Sequence, residues 1–297
     1  MFEPSSVQKR HKFLFRFLAV LIALSLAIMS CSSGDEQAFN PNSNESESVT
    51  EEVQPDIEEA QTSSEAAPSA PRTNKGDTWT IMLYQDADDP ILEQDIFTDL
   101  NEAERVGSSD KVNIVAQIDR YKGGFKGKQN FAGAKRFYLT QDTDLERINS
   151  REVGDLGEIN MADGEVLTDF VTWAAKQYPA DHYVLILSDH GTGWPGGWTD
   201  EDNGSKPKDV LIDGWNDMLY LNELDDTFAE IRKKTGIEKF DIIGYDACLM
   251  SSLEVISMTA AYADYTVLSQ ETEPSMGWAY SAILSKLVRN PKMEAAD

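Results

Sequence analysis

The sequence predicts an α/β fold, a three-layer α/β/α sandwich around a mostly parallel sheet. Three observations carry that reading. The strand-like runs are continuously apolar, as strands buried on both faces are. Stretches with helical spacing separate them, the pattern that builds parallel crossovers. With 41% hydrophobic and 26% charged residues, the 297-residue chain has enough apolar surface for one substantial core.

Residues 79–84 (WTIMLY) read as a buried strand, and 91–106 place Leu92, Ile96, Leu100 and Ala103 on one helical face. Residues 112–118 (VNIVAQI) and 134–139 are the next two strands. A helix over 166–178 carries Leu167, Phe170, Val171 and Ala174 on one face. Residues 183–188 (YVLILS) form a strand, 221–234 an amphipathic helix, 240–244 (FDIIG) a strand, 250–262 a helix and 265–269 (YTVLS) the last clear strand. A helical segment then begins near Ala282, and no closing strand follows it, so the chain is expected to be a fragment.

Charge and composition exclude several classes. With 52 acidic against 26 basic side chains the net charge is −26, the wrong sign for a protein that displaces counterions from nucleic acid. Two cysteines, Cys31 and Cys248, are too few for a disulfide scaffold or a thiolate zinc site. Among His11, His182 and His190 no pair has ligand spacing, which argues against a metal-dependent hydrolase. His182, at the start of a strand, reads as structural.

The first thirty residues read as an address. Arg10, Lys12 and Arg16 precede an apolar run over 17–29 that falls short of the ~20 residues of a membrane span. The run ends at Ile28-Met29-Ser30-Cys31, which resembles a bacterial lipobox with Cys31 as the lipidation site; an ordinary signal peptide with a chance cysteine is the alternative. Ser32 after that cysteine resembles an outer-membrane destination, so the expected location is the cell envelope, extracytoplasmic and lipid-anchored to a membrane. Residues 31–76 are rich in Ser, Glu, Asn and Pro and read as a disordered acidic tether, leaving 77–297 as the folded domain.

In open parallel sheets, ligands sit beyond the carboxyl ends of the strands. Two strand ends stand out: YVLILS runs into Asp189-His190-Gly191, and FDIIG runs into Tyr245-Asp246-Ala247-Cys248. If those strands are neighbours, a thiol and an imidazole emerge on one edge. A free thiol, with a pKa of about 8.5, is mostly protonated near neutrality, and an adjacent imidazole can take its proton. Gly191 lets its backbone N–H approach a substrate, and with the N–H of Cys248 it can cradle an oxyanion. A helix starting just after Cys248 would aim its positive end at the sulfur. The acidic cluster Asp86, Asp88 and Asp89 reads as a solvated turn, and Asp189 as pointing away from the histidine.

His190-Gly191 and Ala247-Cys248, each closing an apolar strand, resemble the two signatures of caspase-like cysteine peptidases. The contexts LILSDHGTGW and DIIGYDACLMSSLEV, with WTIMLYQDADDPILEQDIFTDLNEAE and NMADGEVLTDFVTWA, resemble the clostripain family within that clan over about residues 78–290. The resemblance implies a caspase-like fold and a cysteine endopeptidase that cuts peptides and proteins after Arg or Lys. Cys248 is then the nucleophile and His190 its base, a dyad without an assignable third member. Asp246 matches the acidic residue at the base of the P1 pocket; Glu271 and Glu273 add negative potential, and Trp278 and Tyr280 are pocket wall or core. Self-cleavage is implied between histidine and cysteine, where Lys208 is preferred to Lys206 because Pro207 follows the latter. An uncut surface loop is the alternative there. No cofactor is required by the chemistry; calcium supports some relatives, but Asp200-Glu201-Asp202-Asn203-Gly204 fails as a calcium loop. The competing functional class is an inactive surface lipoprotein that uses the same fold for binding or adhesion.

Overall fold

Every residue of strand β1 (Trp79–Ala87) is buried, which puts it at the centre of a seven-stranded sheet. The computed structural model describes residues 76–122, 124, 131–200 and 217–297, all within one compact unit. The expected leader, lipobox and tether, with Cys31, lie outside the described residues, as do Lys206 and Lys208.

Strands β2 (Val112–Arg120) and β5 (His182–Ser188) flank β1 in parallel, and β8 (Phe240–Asp246) and β9 (Ala263–Val267) continue the parallel array beyond β5. On the other side β3 (Ala134–Tyr138) and β4 (Arg151–Gly157) pair antiparallel, giving the order β4-β3-β2-β1-β5-β8-β9. β4 (REVGDLG) has no apolar run because it is an exposed edge strand, and that is why the sequence pattern does not show it. A separate ribbon pairs β6 (Gly196–Thr199) with β7 (Met218–Tyr220), both too short to leave a periodic signal.

Alternation along β1 divides the core. Met82 and Tyr84 face helices α2 (Gly164–Gln177), α3 (Leu221–Thr235) and α4 (Leu253–Thr259), meeting Phe170, Phe228 and Val255. Ile81 and Leu83 face α1 (Glu93–Glu104) and α5 (Tyr280–Arg289), meeting Ile96, Leu100 and Leu284. This is the expected three-layer sandwich. The Asp163 side chain caps α2 by accepting from the Glu165 N–H, and Gly236, left-handed at φ 73°, ends α3. α1 is tied to the sheet by a buried Arg120–Glu93 ion pair, with the Arg120 guanidinium 4.5 Å from the Phe97 ring centroid.

The chain leaves β1 for β2 on one side and later returns to β5 on the other. That reversal opens a crevice at the carboxyl ends of β1 and β5. At the opposite end His182 is structural, as its position suggests: Nδ1 lies 2.8 Å from Asp241 Oδ1 and its ring stacks on Trp79.

Candidate active site

β5 and β8 are adjacent, with Ser188 opposite Asp246, so His190 and Cys248 leave the sheet at the same edge. Both line one cavity of about 180 Å³, together with Asp246, Glu273 and Asp99. The backbone of Gly191 lies against that of Cys248: a side-chain carbon at Gly191 would fall 2.1 Å from Cys248 O and 2.9 Å from Cys248 N. Only glycine permits that approach.

The histidine has an acidic partner that the sequence reading discounted. Asp89 Oδ2 lies 3.3 Å from His190 Nε2, and Asp89 Oδ1 accepts from the backbone N–H groups of Ile91 and Leu92, each at 2.7 Å. Burial alone would raise the Asp89 pKa; His190 and those two N–H groups outweigh it and hold the carboxyl below its usual range. The expected solvated turn is wrong. β1 runs to Ala87, three residues past the end of the apolar signal, and Asp86, Asp88 and Asp89 are 0, 1 and 5% exposed. Asp189 does turn away, its Oδ2 accepting from Thr199 N at 2.7 Å, and burial pushes its pKa up to about 7.

Cys248 sits in a turn, not at a helix start. Leu249 is left-handed at φ 64°, and α4 begins only at Leu253, capped by the Ser252 side chain. The helix-field expectation is therefore corrected: α4 is short and its N-terminus is occupied by Ser252. The sulfur instead receives the backbone N–H of Glu273 at 3.3 Å.

Asp246 forms the floor of the cavity. It accepts from Tyr280 Oη at 2.8 Å and from Trp278 N at 3.4 Å, and burial pushes its pKa upward against those bonds. Glu273 is raised by burial and by Asp246 beside it. Trp278 is half-buried and packs its ring over Gly244 while its indole N–H donates to Glu273, so it supports the floor from behind. Tyr280 is core, and its hydroxyl joins Asp246 to Ser188. Glu271 is exposed and does not line the cavity; its carbonyl accepts from Leu249 N. Asp99, on α1, also lines the cavity, where the sequence assigned it no role.

A second acidic group lies beside the site. Asp88, Glu158 and Asp200 place carboxylate oxygens within 4.8 Å of one another. Among the described residues, Asp200 Oδ1 and the nearby buried Asp119 Oδ2 have no hydrogen-bond partner.

A thiol and a carboxylate-backed imidazole on adjacent strand ends, above an acidic floor, define a site of the cysteine-hydrolase class. The family model of clostripain matches residues 83–297. Clostripain from Hathewaya histolytica is 30% identical over 200 residues, 61% of this chain and 36% of its own length. A secreted C11 cysteine protease from Bacteroides thetaiotaomicron, solved with an irreversible peptide inhibitor, superposes with a TM-score of 0.52 at 26% identity, covering 72% of this chain and 55% of that one. An inactive zymogen C11 protease from Parabacteroides distasonis shares the fold with a TM-score of 0.50 at 23% identity over 73% and 55% of the two chains. The chain spans about a third of the curated relative and about half of each of these solved structures. It belongs to the clostripain family.

Proposed function

We propose that this protein is a cysteine endopeptidase that cleaves peptide bonds after a basic residue. The observation that carries the proposal is the shared cavity, which presents the Cys248 sulfur, the His190 imidazole and the Asp246 carboxylate to one ligand. In this reading His190 removes the thiol proton, and the Cys248 sulfur attacks the scissile carbonyl. The resulting oxyanion is met by the backbone N–H groups of Gly191 and Cys248. His190 then protonates the leaving amine, and water hydrolyses the thioester to release the acid and restore the thiol. Asp89 orients the imidazole. Asp246 takes the P1 cation, by a bidentate contact for Arg or a single charge-assisted bond for Lys. An arginine or lysine chloromethyl ketone should alkylate Cys248 in the intact protein; a protein that only binds peptides would be left unlabelled.

Self-cleavage after Lys208 is part of the proposal, supported by the polar, Gly- and Pro-containing composition around it. So is attachment to the cell envelope through a lipid on Cys31. Its support is the lipobox-like end of the leader, and detergent-phase partitioning that survives Cys31→Ser would refute it.

Calcium is the proposed ion for Asp88, Glu158 and Asp200. Cysteine peptidase chemistry needs no cofactor, so its contribution is structural. Calcium–oxygen distances of about 2.4 Å let one ion touch oxygens up to about 4.8 Å apart, and these three carboxylates lie within that reach of one another; the orphaned buried oxygens of Asp200 and Asp119 supply the unmet demand for a cation. Asp88 directly precedes Asp89, so neutralising this cluster would steady the strand end that holds His190. At a hundredfold excess over Kd, calcium should raise the melting temperature by about 5 °C or more, with most of the shift lost in Asp200→Asn. Superimposable melting curves in calcium and in chelator would refute the site.

A further inference from the structure

We propose that Asp99 is a second carboxylate for the P1 side chain, facing Asp246 across the cavity floor, so that a basic side chain is held between acids from two layers of the fold. The proposal rests on the basic-P1 reading above and extends it to a residue on α1, away from the strand ends that carry His190 and Cys248.

Asp99 interrupts an apolar stripe. Leu92, Ile96, Asp99 and Ala103 follow one another at helical spacing along the inner face of α1, where packing alone calls for a hydrocarbon side chain. The aspartate is 2% exposed, and what little of it is open faces the cavity. A carboxyl so deep on an apolar helix face costs stability unless a group entering the cavity meets it.

The geometry supplies one. A side-chain carbon placed on Gly277 would lie 2.4 Å from Asp99 Oδ2 and 3.0 Å from Asp246 Oδ2, so the two carboxylates come close to each other beside a residue that has no side chain. Gly277 also has φ 61°, which favours glycine there on backbone grounds. Asp246, Glu273 and Asp99 all line the cavity, and among the described residues neither Lys nor Arg does.

Burial pushes the Asp99 pKa up to about 9, helped by the negative charges of Asp246 on β8 and of Glu102 and Asp95 on α1. Among the described residues, Glu273, beyond β9, Asp189 and His190, beyond β5, and Cys248, beyond β8, are the other ionisable groups on the cavity wall. Without substrate, Asp99 therefore carries its proton near neutrality. A guanidinium or ammonium entering between Asp99 and Asp246 replaces that proton and meets two carboxylates.

The test uses matched peptides with Arg or citrulline at P1, the latter keeping the shape without the charge. In wild type, kcat/KM should favour Arg. In Asp99→Asn it should fall about 10- to 100-fold for Arg and change less than about threefold for citrulline. Iodoacetamide alkylation of Cys248 should be unchanged. A wild type indifferent to the charge would defeat the underlying basic-P1 reading. A wild type that prefers Arg, with an Asp99→Asn variant that prefers it equally, overturns the role of Asp99 alone, and so does slowed alkylation in the variant.

Asp99→Leu covers the case of misfolding, because it completes the apolar stripe. An acid whose pKa is raised on folding supports the fold fully below its unfolded pKa and loses that support as pH rises towards the folded value. Asp99→Leu should therefore melt above wild type by a larger margin near pH 8 than near pH 5, and should lose the Arg preference. A destabilised Leu variant that keeps the preference would make Asp99 a packing residue and overturn the proposal.

Discussion

Cys248→Ala is expected to abolish hydrolysis of basic-P1 peptides, with kcat/KM falling by about 10⁴-fold or more, and to abolish self-cleavage with it. The magnitude follows from the chemistry assigned to the site. Without the sulfur no acyl-enzyme forms, and His190 with the Gly191 and Cys248 N–H groups can act only on bound water. The fold should be nearly untouched. The sulfur is half-buried, and among the described residues its hydrogen-bond contacts are with the Glu273 backbone, so its loss should cost less than about 1 kcal/mol. Matching melting curves beside lost turnover would place the effect in the chemistry, and wild-type turnover in the variant would end the proposal. Self-cleavage gives an independent readout: an uncut chain in Cys248→Ala and a cut one in wild type would show that the thiol performs the cut.

The elements that bring this site together were legible for a simple reason. β1, β2, β5 and β8 are buried on both faces, and double burial writes a continuous apolar run into the sequence. The rule that ligands gather at strand carboxyl ends then found His190 and Cys248, and β5 and β8 are indeed neighbours. Applied to β1 the same rule would have found Asp89. The apolar signal ends at Tyr84, however, while the strand continues through Gln85 and Asp86, polar residues enclosed between β2 and β5. Burial of charge leaves no periodic trace. Asp99 did leave one, a carboxylate on the apolar face of α1, but amphipathic counting tallies the hydrophobes of a stripe and passes over its exception. The helix after Cys248 was overextended because Met250 and Ser251 fit its pattern, whereas the left-handed Leu249 and the Ser252 cap delay its start. β4, β6 and β7 owe their pairing to neighbours, and no local pattern specifies them.

Asp89→Asn is expected to lower kcat by about 10² to 10⁴-fold while leaving KM for basic peptides within about threefold. The carboxylate does two things at once. Its Oδ1 is fixed by the Ile91 and Leu92 N–H groups at the start of α1, so its Oδ2 presents a stationary acceptor to His190 Nε2. That contact assigns the proton on Nε2 and turns Nδ1, the basic nitrogen of that tautomer, to the opposite side of the ring. An asparagine retains the shape and can retain the backbone bonds through its carbonyl oxygen, but it then presents an amide N–H to Nε2. The imidazole is driven to the other tautomer, with the base on the wrong side. The imidazolium formed when the thiol ionises also loses its counter-charge. The proposed P1 contact is Asp246, on a different strand, and this is why KM should hold while kcat falls. Alkylation of Cys248 by iodoacetamide, which needs the thiolate but no P1 recognition, should slow in parallel with kcat. Undiminished kcat and alkylation in Asp89→Asn would reduce the Asp89–His190 contact to a packing interaction and return the site to a two-residue dyad.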